Sequence, residues 1–104
     1  MKQDLQLKSR VKEILKIVQK VAPGNSVELR IPPYAAIQCV SGSAHRRGTP
    51  PNVVEMSGQT LIELVSSPTH WDEFCHKGRI SASGTNANLK DLFTQVSKLD
   101  SGSK

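Results

Sequence analysis

Two arginines beside a glycine, within His45-Arg46-Arg47-Gly48-Thr49-Pro50-Pro51-Asn52, are the residues of this 104-residue chain best suited to recognising a specific partner. Guanidinium forks and free backbone N–H groups suit carboxylate or phosphate, and paired prolines hold a chain extended. The same segment serves equally well as a solvated edge connection whose prolines block edge-to-edge pairing. It is not a phosphate-binding P-loop, because the Gly-x4-Gly-Lys spacing is missing. Other reactive types do not assemble into catalytic patterns. Cys39 with His45 offers a thiol and a base, but Cys39 falls in the alternation of a strand, where a thiol reads as an inert small hydrophobe. Ser41-Gly42-Ser43, which separates that pair, lacks the nucleophile-elbow pattern. His45, His70, Cys75 and His76 have no metal-ligand spacing, and Cys75 and His76, as neighbours on a helix, diverge by about 100°. The expectation is a chain with no catalytic residue, no metal and no organic cofactor, and so not an enzyme.

The positive charge is local. Residues 1–20 carry Lys2, Lys8, Arg10, Lys12, Lys16 and Lys20 against Asp4 and Glu13, while the remaining residues hold eight basic and seven acidic side chains. Lys8, Lys12, Lys16 and Lys20 form a stripe at four-residue spacing that reads as a solvated helix face or as one able to touch an anionic membrane surface transiently. Nucleic acid is not an expected partner, since the rest of the chain is nearly neutral and aromatics for base stacking are 4% of residues. Two cysteines do not make a secreted disulfide scaffold, the N-terminal stretch has no apolar run for a signal peptide, and no run reaches the ~18 residues that span a bilayer. A cytoplasmic location is expected.

Periodicity places the elements. Leu7, Val11, Ile14, Leu15 and Val18 recur at helical intervals until Pro23-Gly24 stops them. Val27, Leu29 and Ile31 alternate with Glu28 and Arg30, and Ala35, Ile37 and Cys39 alternate with Ala36 and Gln38, which predicts a hairpin around Pro32-Pro33. Residues 41–52 can hold one short edge strand, and 53–56 read as another. Ser57 caps a short helix, Ser67-Pro68 starts the next, Gly78 ends it, and Ile80 and Ala82 mark a last strand. Leu89, Leu92, Phe93 and Val96 stripe a final helix. The order predicts an α+β domain over residues 1–98, a mostly antiparallel sheet of about five short strands covered by helices on one face. Residues 99–104 read as a disordered tail.

That order, with Gly78-Arg79-Ile80-Ser81-Ala82-Ser83-Gly84 followed by Leu89 and Leu92, resembles the sterol-carrier-protein type-two-like family from about Leu5 to Val96. Val27-Glu28-Leu29-Arg30-Ile31-Pro32-Pro33, Gln38, Arg47-Gly48-Thr49-Pro50-Pro51-Asn52-Val53-Val54-Glu55 and Trp71 are more narrowly similar to small bacterial, mainly actinobacterial, sterol-carrier-like proteins. The resemblance implies a two-layer fold with an apolar pocket between sheet and helices for a lipid, sterol-like or other amphipathic ligand. Leu29, Ile37, Val54, Met56 and Leu64, with Trp71, Phe74, Leu89, Leu92 and Phe93, are its candidate lining. The same residues also describe an ordinary filled core. Arg30, Gln38, His45, Arg46, Arg47, Asn52 and Glu55 are the candidate polar set. They would meet an anionic headgroup near Arg46-Arg47, or, in the alternative reading, form a surface for a protein or an anionic metabolite. A third reading makes the chain an accessory domain for an enzyme on another chain.

Overall fold

The computed structural model describes residues 4–42 and 52–102, the side chains as far as Asp100. Helix α1 (Leu5–Val21) begins where the Asp4 carboxylate accepts the N–H groups of Gln6 at 3.0 Å and Leu7 at 3.1 Å, two donors with no partner inside the helix. Its apolar stripe, Val11, Ile14, Leu15 and Val18, is buried. Lys12, Lys16 and Lys20 are exposed on the remaining circumference, and Lys8 is half-buried.

Strands β1 (Val27–Ile31) and β2 (Ala35–Cys39) pair antiparallel from Val27 opposite Cys39 to Ile31 opposite Ala35. Their turn is closed by the Tyr34 N–H donating to the Ile31 carbonyl at 2.8 Å. β3 (Asn52–Met56) lies on the other side of β1, and β4 (Ile80–Ser83) pairs antiparallel with β3, for a spatial order β2-β1-β3-β4. Between β3 and β4 come α2 (Gly58–Ser66), a single 3-10 turn (Pro68–His70) and α3 (Trp71–His76), and α4 (Lys90–Gly102) closes the chain. Ser57 caps α2 as expected, its Oγ accepting the Thr60 N–H at 3.0 Å. Pro68 opens the 3-10 turn with no side-chain cap from Ser67, and Gly78, at φ 76°, ends the helical stretch.

The α+β class, the mostly antiparallel sheet and its one-sided covering agree with the sequence reading, and the strand count differs. Four strands are present among the described residues, not about five; the segment considered for a further edge strand lies mostly in residues 43–51, outside those described. One pairing at the centre of the sheet, β1 with β3, is parallel. Successive strands reverse direction, so β3 runs opposite to β2; by settling across β1 instead of beside β2 it becomes parallel to β1.

The core lies between sheet and helices. Val27, Leu29 and Ile31 of β1 and Val54 and Met56 of β3 face Ile14, Leu61, Leu64 and Phe93, all buried. Trp71 stacks on Phe93 with ring centroids 6.2 Å apart. Arg79, just before β4, ties that strand to the helices. Its guanidinium lies 4.3 Å over the Phe74 ring, its Nε donates to Thr60 Oγ1 at 3.2 Å, and it pairs with Glu63 at 3.0 Å. No helix among the described residues is long and apolar enough to cross a membrane.

α1 and α4 pack antiparallel, and residues 99–102, assigned to a tail in the sequence reading, belong to α4; residues 103 and 104 lie outside those described. α4 continues through Gly102, and Asp100 accepts two hydrogen bonds from Arg10, at 2.9 and 2.7 Å, which tie its last turns to α1. Bidentate guanidinium–carboxylate pairs are the stronger kind, but this one is a third exposed on the arginine side. Arg10→Met is therefore expected to lower global stability by no more than about 1 kcal/mol. Amide exchange in residues 98–102 should accelerate roughly fivefold, the equivalent of that energy at a site that opens locally. Unchanged exchange there would show that the ion pair does not hold the end of α4.

Candidate functional site

At one end of the domain an open cleft of about 530 Å³ lies between α1, α4 and the two loops that meet there. Val21 and Ala22 at the end of α1, Val40 after β2, Leu89 just before α4 and Leu92 within it make its floor. Leu89 and Leu92 belong to the buried core, and Val21, Ala22 and Val40 pack against it half-buried. The exposed rim is Ser41, Thr85, Asn86, Asn88 and Gln95. The volume is in the ~300–1,000 Å³ range of small-molecule pockets, and the layout is apolar below and polar above.

Local hydrogen bonding fixes one wall. The Val40 N–H donates to the Ala22 carbonyl at 2.7 Å, the Ser26 N–H to the Val40 carbonyl at 2.9 Å, and Ser41 Oγ to the Pro23 carbonyl at 3.1 Å. These bonds hold Val40 at φ 66°, a left-handed conformation that β-branched residues avoid and that costs on the order of 1–3 kcal/mol.

Asn52 fixes the other wall from inside. Its side chain is 2% exposed. Nδ2 donates to the Ser26 carbonyl at 2.9 Å and to Ser26 Oγ at 3.3 Å, while Oδ1 accepts the Asn86 N–H at 3.0 Å. One amide thus joins the starts of β1 and β3 to the turn that carries the rim residues Thr85 and Asn86. Gly84 makes this approach feasible. It sits at φ 110°, and a Cβ there would strike the Asn52 amide. Asn88 completes the turn by accepting the Lys90 N–H at 3.0 Å at the entry to α4.

The ten apolar candidates come together in or against one core. Leu29, Val54, Met56, Leu64, Trp71, Phe74, Leu89, Leu92 and Phe93 are buried, and Ile37 is half-buried against them. Of the ten, Leu89 and Leu92 line the cleft. The polar candidates do not form one set. Arg30, Gln38 and Glu55 lie on the outer face of the sheet, opposite the helices. There Arg30 Nε pairs with Glu28 at 3.0 Å and the guanidinium reaches Glu55 at 4.0 Å. The hydrogen bond that Arg30 donates to Glu28 chiefly, then the charge of Glu28, raises the Arg30 pKa. Asn52 corrects the sequence reading: it shares the inward face of β3 with Val54 and Met56 and is occupied by Ser26 and Asn86, so it presents nothing to a partner on the outer face. His45, Arg46 and Arg47 lie outside the described residues.

The rim residues Ser41, Thr85, Asn86, Asn88 and Gln95 were not singled out from sequence, and neither were Ser26 and Gly84. The available signal was phase: Asn52 alternates in step with Val54 and Met56, which marks an asparagine pointing inward. Burial pushes the Cys39 thiol up to about 11, and Cys39 is fully buried, so the thiolate is scarce at neutral pH. In the folded protein at pH 8, an alkylating reagent is expected to label the half-buried Cys75 at least about tenfold faster than Cys39. Both should react once the chain is unfolded, and prompt labelling of Cys39 in the native state would contradict the packing described.

Among the described residues, a four-stranded sheet covered by helices, with α4 antiparallel to α1, makes an α+β domain of the kind expected for a sterol-carrier-like protein. The chain belongs to the family described as bacterial SCP ortholog, whose model matches residues 3–94. Among curated proteins, none matches the chain.

Proposed function

We propose that this domain is a non-catalytic, cytoplasmic binding module that takes a lipid-like, amphipathic small molecule, with the cleft between α1 and α4 as its entry. The observation that carries this reading is the cleft's two-part lining: an apolar floor continuous with the core through Leu89 and Leu92, and a polar rim. Such pockets bind by apolar burial and orient by a few polar groups. Family membership supports the same reading, since carriers of this kind hold lipids. The exposed Lys12, Lys16 and Lys20 on α1 suit brief contact with an anionic bilayer during loading. Native mass spectrometry of gently purified protein, followed by organic extraction, tests the proposal. A stoichiometric hydrophobic adduct that disappears on denaturation is expected. A clean apo mass that persists after incubation with sterols, fatty acids and acyl-CoA would reject it.

A second reading rests on the outer face of the sheet, where Gln38 and Glu55 are exposed and Arg30 is half-exposed beside them. On that reading the domain docks a protein or an anionic metabolite. Partner capture from a lysate that survives Arg30→Glu unchanged would remove it.

A further inference from the structure

From the backbone at one wall of the cleft we infer that Val40 sets ligand affinity: its isopropyl group is held at the cleft in a strained conformation, where it meets the apolar part of the bound molecule. The inference rests on the reading of the cleft as the binding site and deepens it. Among the described residues, Val40 is the one non-glycine residue at positive φ, at 66°. The others in that region of backbone space, Gly24, Gly78 and Gly84, are glycines, which adopt it at no steric cost. A β-branched side chain suits it poorly, and asparagine is the ordinary choice where glycine is not used.

The backbone there does not demand a valine. The N–H and carbonyl of residue 40 bond to Ala22 and Ser26, main-chain contacts open to any residue with an N–H. The Gly24 backbone lies directly against the Val40 carbonyl, with no room for a Cβ on Gly24, so the loop fixes the conformation whichever side chain residue 40 carries. What valine adds is the side chain. It is half-buried against the core and lines the cleft beside Val21, Ala22, Leu89 and Leu92. Half-burial gives about half of what fully burying a valine gives, which no more than offsets the strain of a β-branched residue in this conformation. The stability of the empty domain therefore supplies no reason for valine at this position. Its remaining apolar surface fronts the cleft, and a ligand that covers it gains the rest of that burial. Backbone strain of this kind persists where the surrounding structure fixes it and a binding site uses it.

The test joins methyl NMR, titration calorimetry and thermal unfolding of the full chain at pH 7, with 1-decanol and decanoate as probes. The tighter-binding probe should shift the methyl resonances of Val40 together with those of Leu89 and Leu92. Val40→Asn and Val40→Gly, both compatible with the backbone, should weaken that probe at least about fivefold, roughly 1 kcal/mol on the affinity scale. Neither should lower Tm by more than about 5 °C. A side chain kept only for packing would do the reverse, with Tm falling further and affinity unchanged. Weakening of less than fivefold, a larger fall in Tm in both variants, or shifts at Leu89 and Leu92 without Val40 would overturn the role of Val40 and leave the cleft reading in place. If neither probe binds the wild-type protein, or if binding shifts neither Leu89 nor Leu92, the cleft is not the site and both readings fall.

Discussion

Asn52→Leu should lower the stability of this domain by about 3 kcal/mol, because it strands the buried Ser26 carbonyl, at roughly 1–3 kcal/mol for such a group, and removes the half-buried hydrogen bond from the Asn86 N–H, worth roughly 0.5–1.5 kcal/mol. For a domain of this size that is a fall in Tm of about 12–24 °C. The side chain is 2% exposed and bridges three segments that are distant in sequence, so no nearby group can take over its bonds. Asn52→Asp keeps the shape and separates hydrogen bonding from packing. A carboxylate at this position faces the Ser26 carbonyl with an acceptor where a donor is required, and burial also disfavours its charge. Both effects raise its folded pKa above the unfolded value of ~3.9. The folded state then binds more protons than the unfolded state between those two values, so stability falls as pH rises through that window and stays low above it. Thermal unfolding followed by circular dichroism at pH 7 and pH 4 should show the aspartate deficit shrinking in acid, where a protonated carboxyl can donate again. The leucine deficit, measured against wild type, should not change. A leucine variant within about 1 kcal/mol of wild type would show that the amide is not what holds these segments together.

The second large effect lies one residue from the cleft. Phe93 is fully buried and stacks on Trp71 at 6.2 Å. Phe93→Ala is expected to cost about 3–5 kcal/mol through lost apolar burial and the cavity left behind. Its neighbour Leu92 is 8% exposed and lines the cleft, so Leu92→Ala should fall at the low end of the ~2–5 kcal/mol range for such truncations, because the gap opens to water instead of remaining an enclosed void. Urea unfolding monitored by Trp71 fluorescence distinguishes the two. Phe93→Ala should shift the midpoint far more than Leu92→Ala, whose main effect should be on ligand affinity. Equal shifts would mean that Leu92 belongs to the core alone. The contrast also explains how a domain of 104 residues can hold both a packed interior and a cleft: adjacent positions on α4 serve one each.

Much of this was legible in the chain. The helical stripe of α1, the β1–β2 alternation, the serine cap on α2, the glycine stop before β4 and the apolar face of α4 each depend on residues close in sequence. Periodicity and capping are local physics, and they determined which elements form and which face of each is apolar. The ordered string around Val27–Pro33 and Arg47–Glu55 likewise carried the family. What local patterns cannot carry is which elements meet. The parallel pairing of β1 with β3 depends on where the chain crosses after β2. The last turns of α4 are tied to α1 by Arg10, ninety positions away, through Asp100. Asn52 reads as a loop residue until the strand it opens is paired, and only then does its phase with Val54 and Met56 turn it inward onto Ser26 and Asn86. The cleft follows the same rule. Its floor draws on α1, the end of β2 and α4, each carrying only ordinary apolar residues, and long-range packing alone leaves their ends bordering one open space.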